Sequence, residues 1–587
     1  MVSNGLLTID HSSLAGPLET DVALTGRVTP GAAPIRSGRG DEEQAMNLRN
    51  LRPTLIAGLT GVIAAVVALA VAEGLTVLAR SWRSPILDVG DRMVDILASY
   101  PSLKQRAIDM FGTNDKPALL IGIGVLLLIY SYVLGVVAIR KNLKIGLAMI
   151  ALFAVIGIWA ALGRAGDGSL FSALPTVIGS VVAGGVLFVL HRQLTGITAT
   201  DTDTIAATAE NPWSEGRPNP AAIAAIEGTD RRGFLHNSGA LLGATAATAA
   251  VVGVGGRQLA QRRFSAAGSR KNVTVPTAEE PLAALPAGVE VDVEGMIPFI
   301  TPNEDFYRVD TALDVPQLST EGYSLKITGL VDNELEISWQ DLINRPMIER
   351  DITMTCVSNN VGGHYIGNAR WIGARLDEIL NEAGPNGGAD MVVGRSADGW
   401  ESGFPLANAL DGRDAIVAVA MNGEALPLEH GFPVRLIVPG LYGYVAATKW
   451  LTEIELTKFA DFEAYWEKRG WAEEGPIKLA SRIDVPEGLA RVPAGQVAVA
   501  GVAWRQGIGI AKVEVQIDDG DWQETTLAAE DTIDTWRQWS FMWDAESGRH
   551  TITVRATDAD GNVQTAERME PIPSGATGHQ QIVVMVE

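Results

Sequence analysis

The sequence predicts a multi-domain protein in which an N-terminal bundle of transmembrane helices precedes an α+β domain and a C-terminal β-sandwich. Three observations support this prediction. Four long apolar runs lie within residues 51–192, strand-like and helical segments alternate over residues 286–475, and residues 476–587 follow the two-residue period of β-strands. The mean hydropathy of +0.15, beside 20% charged residues, is therefore an average over an apolar and a charged part.

Length and charge limit the classes of function. The 587 residues would allow about three or four domains. The formal net charge is −23 and the sequence pI is about 4.8. Proteins that bind nucleic acid need a basic face for the phosphates, so this charge argues against a nucleic-acid partner.

Changes in composition divide the chain into seven segments. We predict a disordered cytoplasmic tail (1–50), a four-helix transmembrane region (51–192), a cytoplasmic linker (193–230), a twin-arginine-like signal or fifth transmembrane helix (231–255), a spacer (256–285), the α+β domain (286–475) and the β-sandwich (476–587).

Each of the four apolar runs approaches or exceeds the roughly 18–20 residues needed to cross the hydrocarbon core of a bilayer. The runs are Thr54–Leu78, Pro117–Ile139, Ile145–Leu162 and Leu174–Leu190. Buried helices of a soluble core are the alternative interpretation. Ionisable residues are almost absent in the middle of the runs, which argues against a pump or transporter, because such proteins use them along the ion path.

Basic residues predict the orientation of the spans. Arg140, Lys141 and Lys144 lie in the short loop between the second and third runs, so the positive-inside rule places that loop in the cytoplasm. The Arg-containing tail agrees, and Arg164 is an exception. The loop 79–116 then lies outside the cytoplasm, and its helical spacing predicts that it rests against the membrane or the following domain.

A second membrane signal follows the linker. Thr229–Leu235 reads TDRRGFL and precedes the weakly apolar run Ser238–Gly255. This pattern resembles a twin-arginine export signal placed inside the chain. An ordinary fifth spanning helix is the alternative. Either interpretation places the two C-terminal domains outside the cytoplasm, in a protein of the cell membrane.

Cys356 is the only cysteine, so no disulfide can form within the chain. A buried small residue, a reactive thiol and a metal ligand remain as interpretations. Arg350–Thr355 alternates like a strand, and Val357–Gly363 is a polar, glycine-containing run, so the thiol should face a cleft. A thiolate suits transition metals, but only His364 lies near it in sequence. A metal here would have to bring most of its own ligands.

Two strings around this cysteine, TMTCVSN (353–359) and ARWIGARL (369–376), resemble the molybdenum domain of the sulfite oxidase family. In that family one cysteine thiolate ligates molybdenum, and a pyranopterin dithiolene supplies two further sulfurs. The resemblance implies a molybdenum–molybdopterin cofactor, with Cys356 as its metal ligand and as a catalytic residue. It also implies that residues 286–475 form a sulfite-oxidase-type, molybdopterin-binding oxidoreductase domain.

A longer string, MNGEALPLEHGFPVR (421–435), is followed by VPGLYG and KWL and matches the family almost position for position. The pterin ends in a phosphate, and a buried phosphate needs cationic partners. Arg435 can make paired hydrogen bonds to it, His430 can donate to it or to the pterin ring, and Lys449 adds a point charge. The resemblance implies cofactor binding by His430, Arg435, Thr448 and Lys449.

Two further segments carry positions of the family. TPNEDFYR (301–308) is similar to its first cofactor contact and implies cofactor binding by Asn303, Tyr307 and Arg308. A solvated surface charge is the alternative for Arg308. The string FEAYW implies that Tyr465 reaches the oxo face of the metal as a catalytic residue. A packed aromatic residue near the domain junction is the alternative for Tyr465.

One departure from the family concerns the substrate. In sulfite oxidases an arginine follows the asparagine of the Cys-x-x-Asn string and helps to hold the anionic substrate. Here Asn359 is followed by Asn360 and Val361. The sequence therefore predicts a pocket that differs from the anion pocket of sulfite oxidases.

Short alternating strands with interspersed tryptophans predict the C-terminal β-sandwich. Its apolar positions include Val497, Val499 and Val502, then Val513, Val515 and Ile517, then Ile552 and Val554. The strings VxGxAW and VEVxxDxGxW are similar to the family's immunoglobulin-like domain, which commonly mediates dimerisation. The resemblance thus implies a homodimer or a larger membrane complex.

These patterns together predict a membrane-anchored, molybdenum-dependent oxidoreductase that transfers an oxygen atom to or from a small substrate outside the cytoplasm. No haem or iron–sulfur ligand set is visible in the sequence, so electrons would pass through a partner protein or a membrane quinone. An S- or N-oxide reductase on the same fold is one alternative. A cofactor-free membrane assembly or interaction protein is the other, and the set His430, Arg435 and Lys449 argues against it.

Overall fold

The computed structural model describes residues 39–79, 81–100, 110, 115–163, 170–208, 255, 258–259, 263 and 265–587. Three predicted features lie outside the described residues. They are the first 38 residues of the tail, the linker after residue 208, and the twin-arginine-like segment up to residue 254. The fifth span therefore stays a prediction.

Four described helices are long and apolar enough to cross a membrane, and they coincide with the four predicted runs. The apolar stretches are Thr54–Leu75, Lys116–Arg140, Leu143–Leu162 and Leu174–Leu194. The helices of this part are α1 (Arg39–Leu75), α2 (Pro85–Ala98), α3 (Asp115–Arg140), α4 (Leu143–Leu162) and α5 (Leu174–Thr208).

Two helix boundaries differ from the predicted ones. α1 begins at Arg39, inside the segment predicted to be a disordered tail, and α5 continues to Thr208, inside the predicted linker. Residues 41–52 contain many Glu, Gln, Arg, Leu, Ala and Met residues, which are good helix formers. Polarity alone therefore does not mark the end of a helix.

The α+β domain contains two five-stranded sheets. Its strands are β1 (Ser324–Gly329), β2 (Leu335–Ser338), β3 (Met347–Thr355), β4 (Ile366–Arg375), β5 (Met391–Ser396), β6 (Glu401–Pro405), β7 (Ile416–Met421), β8 (Glu424–Ala425), β9 (Arg435–Ile437) and β10 (Leu451–Thr457). The first sheet has the order β2-β1-β10-β5-β6, with β1 parallel to β10. The second has the order β3-β4-β7-β8, and β9 pairs with β7.

Short helices precede or connect these strands. They are α6 (Ala267–Lys271), α7 (Trp339–Ile343), α8 (Leu376–Ala383), α9 (Leu406–Leu410) and α10 (Gly443–Ala446), with 3₁₀ turns at Leu428–His430 and Glu467–Arg469. α7 has a capping box, in which Ser338 and Asp341 each bind the other's backbone N–H. α8 buries Ile379 and Leu380 in the core of the domain.

The strand β3 positions the candidate site. The sequence predicted a strand that ends just before Cys356, and β3 ends at Thr355. Residues 351–357 are all buried. β3 pairs with β4 so that Thr355 lies opposite Ile366. A buried, paired strand fixes its own end, so the thiol that follows has a defined position.

The C-terminal region forms two further sheets from nine strands. The strands are β11 (Ala480–Val485), β12 (Arg491–Val492), β13 (Gly495–Trp504), β14 (Ile510–Ile517), β15 (Gln523–Glu524), β16 (Thr526–Leu527), β17 (Arg537–Ala545), β18 (Gly548–Asp558) and β19 (Gln580–Val586). One sheet has the order β11-β13-β17-β16, and the other has the order β12-β19-β18-β14-β15. Val499 and Trp539 of the first sheet share a core with Val513 and Val554 of the second. The period-two pattern therefore predicted most of the inward-facing positions, but Val502 packs in the core of the α+β domain instead.

The C-terminal region also makes hydrogen bonds to β3. The backbone N–H of Thr353 donates to the backbone oxygen of Asp534 at 3.0 Å. The hydroxyl of Thr353 accepts the backbone N–H of Trp536 at 2.7 Å. The Trp536 ring nitrogen donates to the backbone oxygen of Phe299 at 3.0 Å. The loop before β17 thus fixes the strand that leads to Cys356.

Candidate active site

A partly open cavity lies at the end of β3. Aromatic side chains and a few convergent polar groups line it, as is typical of ligand and cofactor sites. Five of the predicted site residues line the cavity, namely Tyr307, Cys356, His430, Arg435 and Lys449. The structure therefore brings together residues that lie up to 142 positions apart in the chain, from 307 to 449.

Cys356 lies at the wall of this cavity, and its side chain is mostly buried. Its Sγ lies 2.9 Å from the hydroxyl of Ser358. The backbone N–H of Cys356 donates to the oxygen of Tyr365, and Asn359 Oδ1 accepts the backbone N–H of Tyr365. In the part of the chain that the structure describes, no three His, Cys, Asp or Glu side chains form a metal-binding group. A metal at Cys356 would need ligands from a cofactor.

Arg435 is a buried cation at the first position of β9. Its Nη1 donates to the backbone oxygen of His430 at 3.0 Å, and its Nη2 lies 3.7 Å from the sulfur of Met354. The guanidinium carbon lies 5.0 Å from the centroid of the Trp371 ring. The pKa of Arg435 falls to about 10 because burial disfavours its charged form.

The surroundings of Arg435 fit an anionic ligand. Among the described residues its Nε atom has no hydrogen-bond partner, and no carboxylate pairs with the guanidinium. An uncompensated buried charge is costly. A phosphate group would satisfy both the charge and the remaining donor, with the paired geometry that arginine favours. The terminal phosphate of a pterin cofactor therefore fits this position.

His430 is the third polar group of the wall. Its Nε2 lies 3.1 Å from the backbone oxygen of Asn303, which can only accept a hydrogen bond. Burial, and then the nearby charges of Arg435 and Lys449, lower the pKa of His430 to about 3. The ring is therefore neutral, with its hydrogen on Nε2 and Nδ1 as the acceptor. The predicted donor role of His430 toward the cofactor stays a prediction.

Lys449 forms an ion pair that the sequence did not predict. Its Nζ donates to Asp310 Oδ2 at 2.8 Å and to the backbone oxygen of Glu429 at 3.1 Å. Asp310 also lines the cavity, and its side chain is only 3% exposed. Burial lowers the pKa of Lys449 to about 8, although Asp310 opposes this shift. The charge of Lys449 is therefore partly offset before any ligand binds.

Arg308 belongs to the same ion-pair group but lies outside the residues that line the cavity. Its Nε donates to Asp310 Oδ2 at 2.8 Å, and its side chain is 41% exposed. Burial tends to raise the pKa of Asp310, but the nearby Lys449, Lys116 and Arg308 lower it overall. The Asp310 carboxyl is thus ionised and is surrounded by cations.

Tyr307 and Asn303 support the site in different ways. The Tyr307 ring stacks on Phe306 with 5.2 Å between the ring centroids. Burial first, and then Cys356, raise the pKa of Tyr307, so its hydroxyl stays protonated. Asn303 lies outside the lining set, but its backbone oxygen fixes His430, and its side chain binds Glu424 at 2.6 Å.

Thr448 is buried away from the cavity. Its hydroxyl lies 2.6 Å from that of Ser402 and 3.4 Å from the backbone oxygen of Gly394. Thr448 is not among the lining residues. Its predicted contact with the cofactor stays a prediction, and in the structure its hydroxyl contacts β5 and β6.

The structure does not bring Tyr465 to the cavity. Its hydroxyl donates to Asp95 of α2 at 2.8 Å, and its ring lies 3.5 Å from the guanidinium carbon of Arg469. The next residue, Trp466, lines the cavity together with Trp471 and two other aromatic residues, Tyr444 and Trp400. The catalytic role predicted for Tyr465 stays a prediction, and in the structure the adjacent Trp466, not Tyr465, lines the cavity.

Sequence reasoning missed Asp310, Tyr444, Trp466 and Trp471 as cavity residues. Asp310 has a weak sequence signal, because it lies two residues after Arg308. Tyr444 lies on α10, directly after the string VPGLYG, so the length of the matched string could have indicated it.

Comparisons with known proteins identify related oxidoreductases. A family profile described as "Oxidoreductase molybdopterin binding domain" matches residues 312–466. Mitochondrial sulfite oxidase from Mus musculus is 30% identical over 317 residues, covering 45% of this chain and 57% of that protein. The uncharacterized oxidoreductase YuiH from Bacillus subtilis (strain 168) is 34% identical over 153 residues, covering 26% of this chain and 74% of that protein.

The structural comparison includes the sulfane dehydrogenase SoxCD from Paracoccus pantotrophus. It is 23% identical, covers 50% of this chain and 85% of that chain, and has a TM-score of 0.43. The chain spans a little over half the length of the mammalian sulfite oxidases that it matches.

Proposed function

Because the chain belongs to the sulfite oxidase family of molybdopterin-binding oxidoreductases, we propose that it is a membrane-anchored, molybdenum-dependent oxidoreductase. The reaction would be oxygen-atom transfer to or from a small substrate outside the cytoplasm. One observation carries the proposal: Arg435, a buried cation without a carboxylate partner among the described residues, lines the same cavity as the lone thiol of Cys356. A thiol ligand and an anion site in one cavity are what a metal–pterin phosphate cofactor requires.

The molybdenum–molybdopterin group would supply the two-electron redox chemistry and the oxygen-atom exchange. The residues of the chain would bind and orient it. Cys356 would provide the protein thiolate, Arg435 would bind the phosphate, and Nδ1 of His430 would accept a hydrogen bond from the pterin. Tyr307, which stays protonated, could donate a hydrogen bond next to Cys356.

Two observations support the proposed side of the membrane. Arg140, Lys141 and Lys144 favour a cytoplasmic position for the loop between α3 and α4. The opposite end of the bundle contacts the catalytic domain, because Asp95 of α2 binds Tyr465. Both support a catalytic domain outside the cytoplasm, which the chain would reach through the predicted span 231–255.

Residues near the cavity bear on the class of substrate. The matched mammalian proteins are named sulfite oxidases. Here the position after Asn359 carries Asn360, which is exposed and uncharged. The aromatic side chains of Tyr444, Trp466 and Trp471 line the cavity beside the polar groups. This wall favours a neutral oxo-substrate, so reduction of an S- or N-oxide is the second candidate function.

The C-terminal sandwich completes the proposal. Its two sheets with a shared core are consistent with an immunoglobulin-like domain, and we propose that it mediates dimerisation. Electrons would pass to or from a partner protein or a membrane quinone.

Purified full-length protein in detergent provides the test. Metal analysis and pterin fluorescence should find molybdenum and pterin in matching amounts. Wild-type protein that was prepared from cells able to make the cofactor, but contained neither, would contradict the proposal and favour a cofactor-free assembly protein.

The two substrate classes can be separated with one substitution. Asn360→Arg introduces an arginine at the position where sulfite oxidases have one. This substitution should lower the KM for sulfite and raise the KM for a neutral sulfoxide. Asn386→Arg, at an exposed position in a loop of the same domain, is the matched control. Turnover rates of the wild-type protein with sulfite and with sulfoxides are then compared. A wild-type protein that turns over sulfite faster than every sulfoxide or N-oxide tested would be a sulfite oxidase.

A further inference from the structure

The membrane-anchored part contacts the catalytic domain at several points. Asp95 of α2 accepts the hydroxyl of Tyr465 at 2.8 Å and lies 3.6 Å from Nη2 of Arg469. Asp91 lies 3.4 Å from the backbone nitrogen of Leu313. Gly90 packs tightly against the same leucine, since a Cβ at Gly90 would lie 2.5 Å from its Cδ1. The helix α2 therefore forms a docking surface for Leu313, Tyr465 and Arg469.

One contact from the membrane part reaches the wall of the cavity. Lys116, in the first turn of the spanning helix α3, donates to Asp310 Oδ1 at 2.7 Å and to the backbone oxygen of Ala312 at 2.7 Å. The other carboxylate oxygen of Asp310 accepts from Lys449 and Arg308, each at 2.8 Å. Oδ1 of Asp310 thus binds the membrane helix, and Oδ2 binds cations of the catalytic domain.

This division has an electrostatic consequence. Asp310 is almost fully buried, and its negative charge offsets the positive charge of Lys449 in the cavity wall. Lys116 offsets part of the charge of Asp310 in turn. Without Lys116, Asp310 would bind Lys449 more strongly, and the wall would become more negative by one charge. An anionic cofactor would then be held less tightly.

We propose that Lys116 is a positioning residue for the cofactor, and that the membrane bundle completes the cofactor site rather than only anchoring it. The inference rests on the proposed function, because it requires an anionic cofactor in the cavity. Lys116 acts through Asp310 and Lys449 and does not line the cavity itself.

The test uses the full-length protein and the substitution Lys116→Met. Molybdenum and pterin retained per chain are measured as a function of time during dilution in cofactor-free buffer. Loss of the cofactor should be about fivefold faster than in the wild type. This factor is at the low end of the effects that one site typically has on binding at another, because Lys116 is partly exposed. Hydrogen–deuterium exchange at residues 310–313 should also increase.

Three further variants make the result specific. Lys116→Arg keeps the charge and should restore retention close to that of the wild type. Lys141→Met makes the same change at the cytoplasmic end of α3 and should have no effect. Asp95→Asn loosens the docking surface without touching Asp310. If Asp95→Asn accelerated cofactor loss as much as Lys116→Met, the effect would come from docking and the role of Lys116 would be overturned.

The outcomes also separate this inference from the proposed function. Wild-type protein without molybdenum and pterin would contradict the proposed function. Wild-type protein that contains both, together with a Lys116→Met variant that loses them at the wild-type rate, would contradict only the inference. Unchanged exchange at residues 310–313 in that variant would contradict the contact itself.

Discussion

The Nε2 atom of His430 lies 3.1 Å from the backbone carbonyl oxygen of Asn303. The carbonyl can only accept, so this contact fixes the hydrogen of the ring on Nε2 and turns the acceptor Nδ1 away from Asn303. Two cations, Arg435 and Lys449, lie near the ring and oppose its protonation. The site therefore combines fixed positive charges with a neutral acceptor, an arrangement suited to a ligand that has both an anionic end and N–H donors.

The lowered pKa of His430 predicts how stability depends on pH. Its pKa is about 3 in the folded protein, against about 6.5 in the unfolded chain. The unfolded chain therefore binds an additional proton at acidic pH, and the contribution of this group to stability is lost as pH falls from about 6.5 towards 3. In cofactor-free protein, His430→Gln should remove this part of the pH dependence.

The measurement is the difference in unfolding free energy between the wild type and His430→Gln from pH 7.5 to 4.5. This difference should change by up to about 1.4 kcal/mol per pH unit below pH 6. Asp531 and Asp534 act in the opposite direction, because burial raises the pKa of each carboxyl to about 6. Asp531 and Asp534 are present in the wild type and in the variant, so their contributions cancel in the difference. A difference that is constant with pH would contradict the neutral state of His430.

The buried guanidinium of Arg435 predicts opposite effects on binding and on stability. Arg435→Met should strongly reduce the molybdenum and pterin content, because it removes the proposed phosphate contact. In cofactor-free protein the same change removes a buried cation that has no carboxylate partner among the described residues. Its unfolding free energy should therefore be unchanged or higher by about 1–2 kcal/mol.

Arg491→Met is the matched control for this prediction, since Arg491 is 74% exposed in the C-terminal sandwich. It should change neither the cofactor content nor the melting temperature. A large loss of stability in cofactor-free Arg435→Met would indicate that Arg435 has a structural role in the core rather than a binding role.

Cys356→Ser should abolish turnover, with a decrease of more than about 100-fold, because even the outer partners of metal ligands contribute 10–100-fold. The fold should be retained, since Ser is close in size and the backbone of Cys356 keeps its hydrogen bond to Tyr365. Near-UV circular dichroism should match that of the wild type. A fully active variant would rule out the ligand role of Cys356.

The features predicted best from the sequence are those that depend on local pattern. The end of β3 at Thr355, the four apolar helices and most inward-facing residues of the C-terminal sheets follow from periodicity and hydropathy. The matched strings also identified His430, Arg435 and Lys449, and the structure places these three residues in one cavity. These residues lie on consecutive elements around β9, so their proximity follows from short connections.

Contacts between distant segments could not be predicted in this way. Asp310 pairs with Lys449 and with Lys116, which lies 194 residues earlier in the chain. No local pattern marks such a pair. Tyr465 was assigned by its position in a string, but which of two adjacent aromatic side chains faces the cavity depends on the backbone direction there, and Asp95 holds the Tyr465 hydroxyl outside.

Gly431 provides a test of how closely the cofactor site is packed. Its φ of +110° is unfavourable for a residue with a Cβ, and a Cβ there would lie 3.1 Å from both Lys449 and Arg435. Gly431→Ala should therefore destabilise the protein by about 2–4 kcal/mol and reduce its cofactor content, since both cations must move.

Gly412 is the matched control for this prediction. It also has a positive φ, +83°, but no described atom lies within 4 Å of a Cβ at that position. Gly412→Ala should cost only about 1–2 kcal/mol and leave the cofactor content unchanged. Equal losses of cofactor in the two variants would show that backbone strain, and not the position of the two cations, determines how the cofactor is held.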